Sequence, residues 1–220
     1  MRIQQLKPDL HPKFYEVLEK QGFDELRPCQ IKALSKGLLK HKNLLICSPT
    51  GSGKTLVAEL AAVNTILNGE GKVVYIVPLK SLATEKFKEF KQKYGHLFRI
   101  ALSIGDLDSA DPYLIDYDLI ITTSEKLDSL IRHKAAWLRR VRVLIVDEIH
   151  LLNDPGRGPT LEILITIIRQ LLKNIQILGL SATIGNPKEL ADWLGAEFIF
   201  DAWRPVELHK GIYLDGVVDF

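Results

Sequence analysis

The chain has 220 residues, 46% hydrophobic and 25% charged, an ordinary globular balance long enough to bury a sizeable core. Its 29 basic and 27 acidic residues leave a net charge of +2, so any nucleic-acid contact has to be a local patch. Two cysteines, Cys29 and Cys47, show neither metal spacing nor a disulfide framework, which fits a reducing interior and small buried apolar side chains. No apolar run reaches membrane-spanning length, and the polar N-terminus is no signal peptide.

In chain order, residues 1–10 read as a loose lead-in. The spacing of Phe14, Tyr15, Val17 and Leu18 predicts a helix from His11 to Gln21, stopped by Gly22. Pro28 opens a second helix, with Ile31, Leu34, Leu38 and Leu39 expected on one face and Gln30 in its first turn. The apolar run 43–47 predicts a short buried strand, and 56–62 the helix beyond it. Further strands are expected at Lys72–Val77, Arg99–Ile104, Asp118–Thr122, Val141–Val146, Gln176–Leu180 and Glu197–Phe200. Leu79, Leu82, Ala83, Phe87, Phe90 and Tyr94 mark one intervening helix, and Leu127, Leu130 and Ile131 a second. A strong helix runs through Leu161, Leu164, Ile165, Ile168, Leu171 and Leu172, and a short one from Asn186 to Leu194. Strands that are apolar throughout, alternating with helices, predict an α/β fold with a mostly parallel sheet covered on both faces.

Between the first strand and its helix stands Ser48-Pro49-Thr50-Gly51-Ser52-Gly53-Lys54-Thr55. Strand, Gly-rich turn and Gly-Lys-Thr opening a helix is the context of a phosphate-binding loop. Gly51 and Gly53 let the backbone curl around one anion, and the helix N-terminus adds partial positive charge. Lys54 would reach the β- and γ-phosphates and the Thr55 hydroxyl would hold Mg²⁺. The usual opening Gly is Ser48 here. Asp147 and Glu148 end the run Val143–Val146, where a carboxylate can hold Mg²⁺ through water and its neighbour can orient or deprotonate the attacking water. Taken alone, that pair is equally an acidic turn capping a helix. His150 reads either as a loop histidine or as a relay toward Ser181-Ala182-Thr183, whose hydroxyls otherwise cap a turn. Gln30 could pair with an adenine edge, although its chemistry alone favours a solvated side chain at a helix end.

Together these residues resemble the superfamily II helicases. Ser48 to Thr55 is similar to their first motif, Asp147-Glu148-Ile149-His150 to their DExH box and Ser181-Ala182-Thr183 to their coupling motif. Phe23 with Gln30 resembles their adenine-reading Q motif, and Pro78–Ala83, Gly105-Asp106 and Thr122–Glu125 the stretches that grip a single strand. The surrounding words 123–132, 147–152, 157–162 and Trp203-Arg204-Pro205-Val206 resemble the Ski2-like branch, most of all the archaeal Hjm-type DNA helicases. The resemblance implies a RecA-like P-loop NTPase domain over 23–200, preceded by a lead-in and helix over 1–22. It also implies that 201–220 is a linker strand toward a second RecA-like domain that supplies arginine fingers. It implies a cytoplasmic, nucleoid-associated protein that uses ATP and Mg²⁺ to translocate on single-stranded DNA and unwind forks. Lys54, Asp147, Glu148 and His150 are the implied catalytic residues. Phe23, Gln30 and Pro49 to Thr55 would bind nucleotide, with Thr55 and Asp147 on the metal. Pro78, Lys80, Gly105, Thr123, Ser124 and Arg157 would meet the strand. The choice of DNA over RNA comes from the resemblance alone. A Ski2-like RNA helicase, another P-loop enzyme such as a small-molecule kinase, and a nucleotide-binding module inactive on its own remain alternatives.

Overall fold

Seven strands make one sheet in the computed structural model, which describes residues 1–105, 109–182, 184–206, 212–214 and 216–219. They are β1 (Leu44–Cys47), β2 (Lys72–Ile76), β3 (Ile100–Ser103), β4 (Leu119–Thr122), β5 (Val141–Val146), β6 (Gln176–Ser181) and β7 (Glu197–Phe200). The order is β3-β4-β2-β5-β6-β1-β7 and every neighbouring pair is parallel. Parallel neighbours need crossovers, and helices supply them. Two helices, α1 (Pro12–Lys20) and α2 (Pro28–Ser35), precede β1. The crossover helices are α3 (Lys54–Leu67), α4 (Lys80–Tyr94), α5 (Ser124–Arg132), α6 (Gly158–Leu171) and α7 (Pro187–Leu194), and β3 joins β4 through the 3-10 turn Pro112–Asp116. The C-terminal stretch, expected as one strand, contains an antiparallel pair, β8 (Ile212–Leu214) and β9 (Val217–Asp219).

Side chains alternate across a strand, so each apolar strand feeds two cores. Leu44, Ile46, Val73, Tyr75, Ile121, Val143 and Leu178 pack on one face with Phe14, Leu18, Val57, Phe90 and Tyr94 of α1, α3 and α4. Leu45, Val74, Ile76, Ile120, Leu144 and Ile177 pack on the other with Leu127, Leu130, Leu161, Ile165 and Leu194 of α5, α6 and α7. This two-sided burial is why the strands carry no polar alternation.

Three expectations are corrected. The lead-in is not loose: Ile3–Leu6 is a 3-10 turn, Arg2 bridges Glu25, and Ile3, Leu6 and Leu10 are buried in the first core. The second helix stops at Ser35, because Gly37 takes a left-handed φ of 95°; Leu38 is buried from a separate 3-10 turn. Leu79 and Leu82 are exposed at the strand-end rim, so the buried face of α4 is Ala83, Phe90 and Tyr94. Among the described residues no helix is long and apolar enough to cross a membrane.

Candidate nucleotide site and strand-end face

β6 lies between β1 and β5, so its end separates the two motifs that the sequence sets nearly a hundred residues apart. The phosphate loop leaves β1 with Ser48 N donating to Ser181 O at 3.1 Å. It then curls through Gly51 (φ 80°) and Gly53 (φ 98°) into the N-terminus of α3. The Lys54 ammonium lies inside that curl, donating to Ser48 O at 2.5 Å and Pro49 O at 3.0 Å. Burial lowers its pKa, while Glu148 and Asp147 pull the other way and favour the charged form. A cation at the centre of a glycine curl, at a helix N-terminus, fits a phosphate group.

The loop is braced from outside by the first turn of α2. Gln30 is 2% exposed, so it is not a solvated helix-end residue. Its Oε1 accepts from Arg27 N at 2.8 Å and its Nε2 donates to Gly53 O at 3.1 Å. A side chain at position 53 would put Cβ 2.3 Å from Gln30 Nε2 and displace that amide, while the φ of 98° itself favours glycine. The Cys29 thiol donates to Ser52 O at 3.3 Å, and Ser48 Oγ and Ser52 Oγ lie 2.8 Å apart. Arg27 Nη1 donates to Gly51 O. Phe23 is placed elsewhere: half-buried, it lines a groove of about 800 Å³ with Val17 and Lys20 of α1 and Glu89 and Lys93 of α4, to which the loop contributes nothing.

At the end of β5, Asp147 N donates to Ile76 O at 2.9 Å, which keeps the residue in strand register. Asp147 Oδ1 accepts from Glu148 N at 3.1 Å and Oδ2 from Tyr75 OH at 3.0 Å. Burial pushes the Tyr75 phenol well up, so it stays protonated and donates. Tyr75 escaped the sequence reading. Its signal was a polar tip in an otherwise aliphatic strand, since a buried phenol needs a partner. Glu148 adopts φ 52°, ψ 44°, a left-handed conformation rare for a residue with a side chain, so its carboxylate leaves the strand on a different course from that of Asp147. Glu148 Oε2 lies 3.2 Å from His150 Nδ1, and Ser181 Oγ lies 3.3 Å from the same nitrogen. Both groups thus meet the same ring nitrogen, and His150 joins the acidic strand end to the end of β6. Ser181 is fully buried; Thr183 lies outside the described residues.

Two hard oxygen donors, the Thr55 hydroxyl and the Asp147 carboxylate, are the donor types Mg²⁺ takes. Lys86 Nζ stands 3.5 Å from Thr55 Oγ1 and 3.0 Å from Glu89 Oε2, a neighbour the sequence did not announce.

The expected strand-gripping residues gather at the ends of β2, β3 and β4, but mostly not through free side chains. Thr123 is 4% exposed and its hydroxyl caps α5 by accepting from Lys126 N at 3.5 Å; Ser124 is buried beside it. Arg157 is presented by Asp154, whose Oδ1 accepts from Gly156 N and Arg157 N, both at 2.9 Å, and its Nη1 donates to Pro78 O at 3.4 Å. That contact brings the start of α6 to the start of α4, next to the start of α5. Lys80 and Gly105 are exposed there; Asp106 lies outside the described residues. This face offers helix N-termini and exposed cations, the donor set for phosphate oxygens.

Strand, glycine curl, central lysine and a carboxylate pair two strands away define a P-loop NTPase of RecA-like fold. The chain belongs to the DEAD/DEAH box helicase family, whose model matches residues 27–190. It is 53% identical over 99% of its length to an ATP-dependent DNA helicase Hel308 from Pyrococcus horikoshii, and 58% identical over 94% to its namesake from Methanocaldococcus jannaschii. The chain spans 30% and 18% of those relatives. Among solved structures it resembles a DUF1998 helicase MrfA bound to DNA, with a TM-score of 0.73, 25% identity, and coverage of 88% of this chain and 30% of that one.

Proposed function

We propose that this chain is the ATP-binding motor domain of an ATP-dependent DNA helicase, cytoplasmic and nucleoid-associated, which couples hydrolysis to movement along single-stranded DNA and opening of forks. We further propose that residues 23–200 form the motor domain proper, that 1–22 brace it, and that 201–220 lead to a second RecA-like unit. The observation that carries the reading is the Lys54 ammonium inside the loop curl, donating to the Ser48 and Pro49 carbonyls at the N-terminus of α3. Relatives named as ATP-dependent DNA helicases favour DNA over RNA and over a small-molecule kinase.

In this reading the loop N–H groups and Lys54 bind the phosphates, and Thr55 and Asp147 hold Mg²⁺. The ion, when bound, neutralises charge between the outer phosphates. Tyr75 fixes the Asp147 carboxylate by donating to one oxygen. Glu148 orients the water and takes its proton. His150, touching both Glu148 and Ser181, carries the result to the β6 end. The remaining positive charge comes from an arginine on the second unit, worth about a thousandfold or more in rate.

The test is ATP turnover by this chain alone and by the chain continued into a second motor unit, each with and without single-stranded DNA. Slow, unstimulated turnover by the chain alone and DNA-stimulated turnover by the longer form are expected. Brisk DNA-stimulated turnover by the 220 residues alone would show that the arginine is already present. Stimulation by RNA and not by DNA would replace the proposed track.

A further inference from the structure

The words Trp203-Arg204-Pro205-Val206 carried part of the family resemblance without a job, and their position gives them one. Asp201 N donates to Cys47 O at 3.1 Å, so the chain leaves β7 alongside the entry to the phosphate loop. Asp201 is 4% exposed and is held by Lys32 of α2, whose Nζ lies 2.9 Å from its Oδ2 and donates to Phe200 O at 2.9 Å. Its other oxygen accepts from Trp203 N at 2.8 Å, and this turn carries the indole to the first turn of α2. There the Arg27 guanidinium lies 5.5 Å over the Trp203 ring, and Arg27 Nη1 donates to Gly51 O. Pro205 closes the other side: a Cβ at Gly51 would lie 3.7 Å from its Cγ.

We propose, on the nucleotide reading above, that Trp203 is a positioning residue for the phosphate loop, acting through Arg27. The Gly51–Ser52 peptide is the element it sets. In a trans peptide the carbonyl and the following N–H point in opposite directions. A guanidinium that draws the Gly51 carbonyl outward therefore turns the Ser52 N–H into the curl, where it now meets Pro49 O at 3.2 Å. Arg27 is exposed and long, and an exposed arginine is not held by one hydrogen bond alone. The indole face supplies the missing restraint by attracting the cation and limiting its rotamers. The exit segment thus becomes part of the loop's outer wall, and the affinity of the loop for phosphate depends on where that segment lies. Gln30 cannot replace it, because its amide is already committed to Arg27 N and Gly53 O.

The test is a double-mutant cycle on the 220-residue chain, with MgATP binding measured by titration calorimetry for the parent, Trp203→Ala, Arg27→Gln and the double variant. Trp203→Phe is the fourth variant, and melting curves check folding. Expected are a two- to fivefold loss of affinity (roughly, for an exposed cation–π contact) in Trp203→Ala, recovery of most of it in Trp203→Phe, and no further loss when Trp203→Ala is added to Arg27→Gln. Additive losses would mean that Trp203 touches the nucleotide itself or props the fold, and would overturn the proposal. So would unchanged affinity in Trp203→Ala. A parent chain that fails to bind MgATP would instead bring down the nucleotide reading, and the proposal with it.

Discussion

The two halves of the sheet's C-terminal edge are built differently. At the ends of β1, β5 and β6 almost every polar side chain has a named partner: Lys54 on two loop carbonyls, Gln30 on Arg27 and Gly53, Tyr75 on Asp147, His150 between Glu148 and Ser181. At the ends of β2, β3 and β4 the expected contact residues are buried, capping or backbone, and what reaches solvent is Lys80, Gly105 and the starts of α4, α5 and α6. Bond-making chemistry needs particular atoms at fixed distances, whereas holding a nucleic-acid backbone needs only donors at phosphate spacing. The difference predicts sharp, residue-specific losses on the first side and shallow, salt-dependent ones on the second.

The largest effect belongs to Glu148. Glu148→Gln should cut single-turnover hydrolysis in the two-unit enzyme by about a hundred- to ten-thousandfold while MgATP binding survives, as expected for loss of a general base. Retained turnover would move the base elsewhere. Next comes Gly53→Ala. A Cβ 2.3 Å from Gln30 Nε2 displaces the amide that braces the loop, and it does so on a residue strained at φ 98°. A left-handed alanine alone costs roughly 1–2 kcal/mol, so MgATP affinity should fall about tenfold or more by calorimetry. Unchanged affinity would mean that the brace is incidental.

On the other side, Lys80→Glu should weaken single-strand binding of the longer enzyme evenly across sequences and flatten its log–log salt slope by roughly one unit. A sequence-dependent loss, or no loss, would erase the contrast between the halves. The smallest expected effect is electrostatic. Burial pushes the Asp111 carboxyl up, but hydrogen bonds from Ser109, Lys126 and Ser103 outweigh it and hold the pKa below the ordinary aspartate value. The folded chain therefore binds that proton more weakly than the unfolded one. The stability this gives is complete above the unfolded pKa and drains as pH falls through the folded one. Thermal melts from pH 6 downward should show a shallower acid limb in Asp111→Asn than in the parent.

How much was legible in the sequence follows the same division. The strands could be read because two-sided burial writes continuous apolar runs, and the loop and acidic pair because their chemistry fixes residue type and spacing. The partners of Arg27, Tyr75 and Trp203 could not be read, since each lies 24, 72 or, for Trp203, nearly 180 residues away and only the strand order brings it near. The burial of Gln30 could not be read, because its exposure depends on whether the loop's Gly53 carbonyl folds back onto it. The rim leucines 79 and 82 were misread because helical spacing says which face is apolar but not where the helix outruns the core.

The most direct measurement is calorimetric titration of MgATP into the parent chain and into Lys54→Ala. The ammonium at the centre of the curl is the group on which the nucleotide reading turns. Saturable one-site binding in the parent, lost in Lys54→Ala with an unchanged melting curve for the free chain, is the expected result. Equal binding by both, or none by a folded parent, would contradict it.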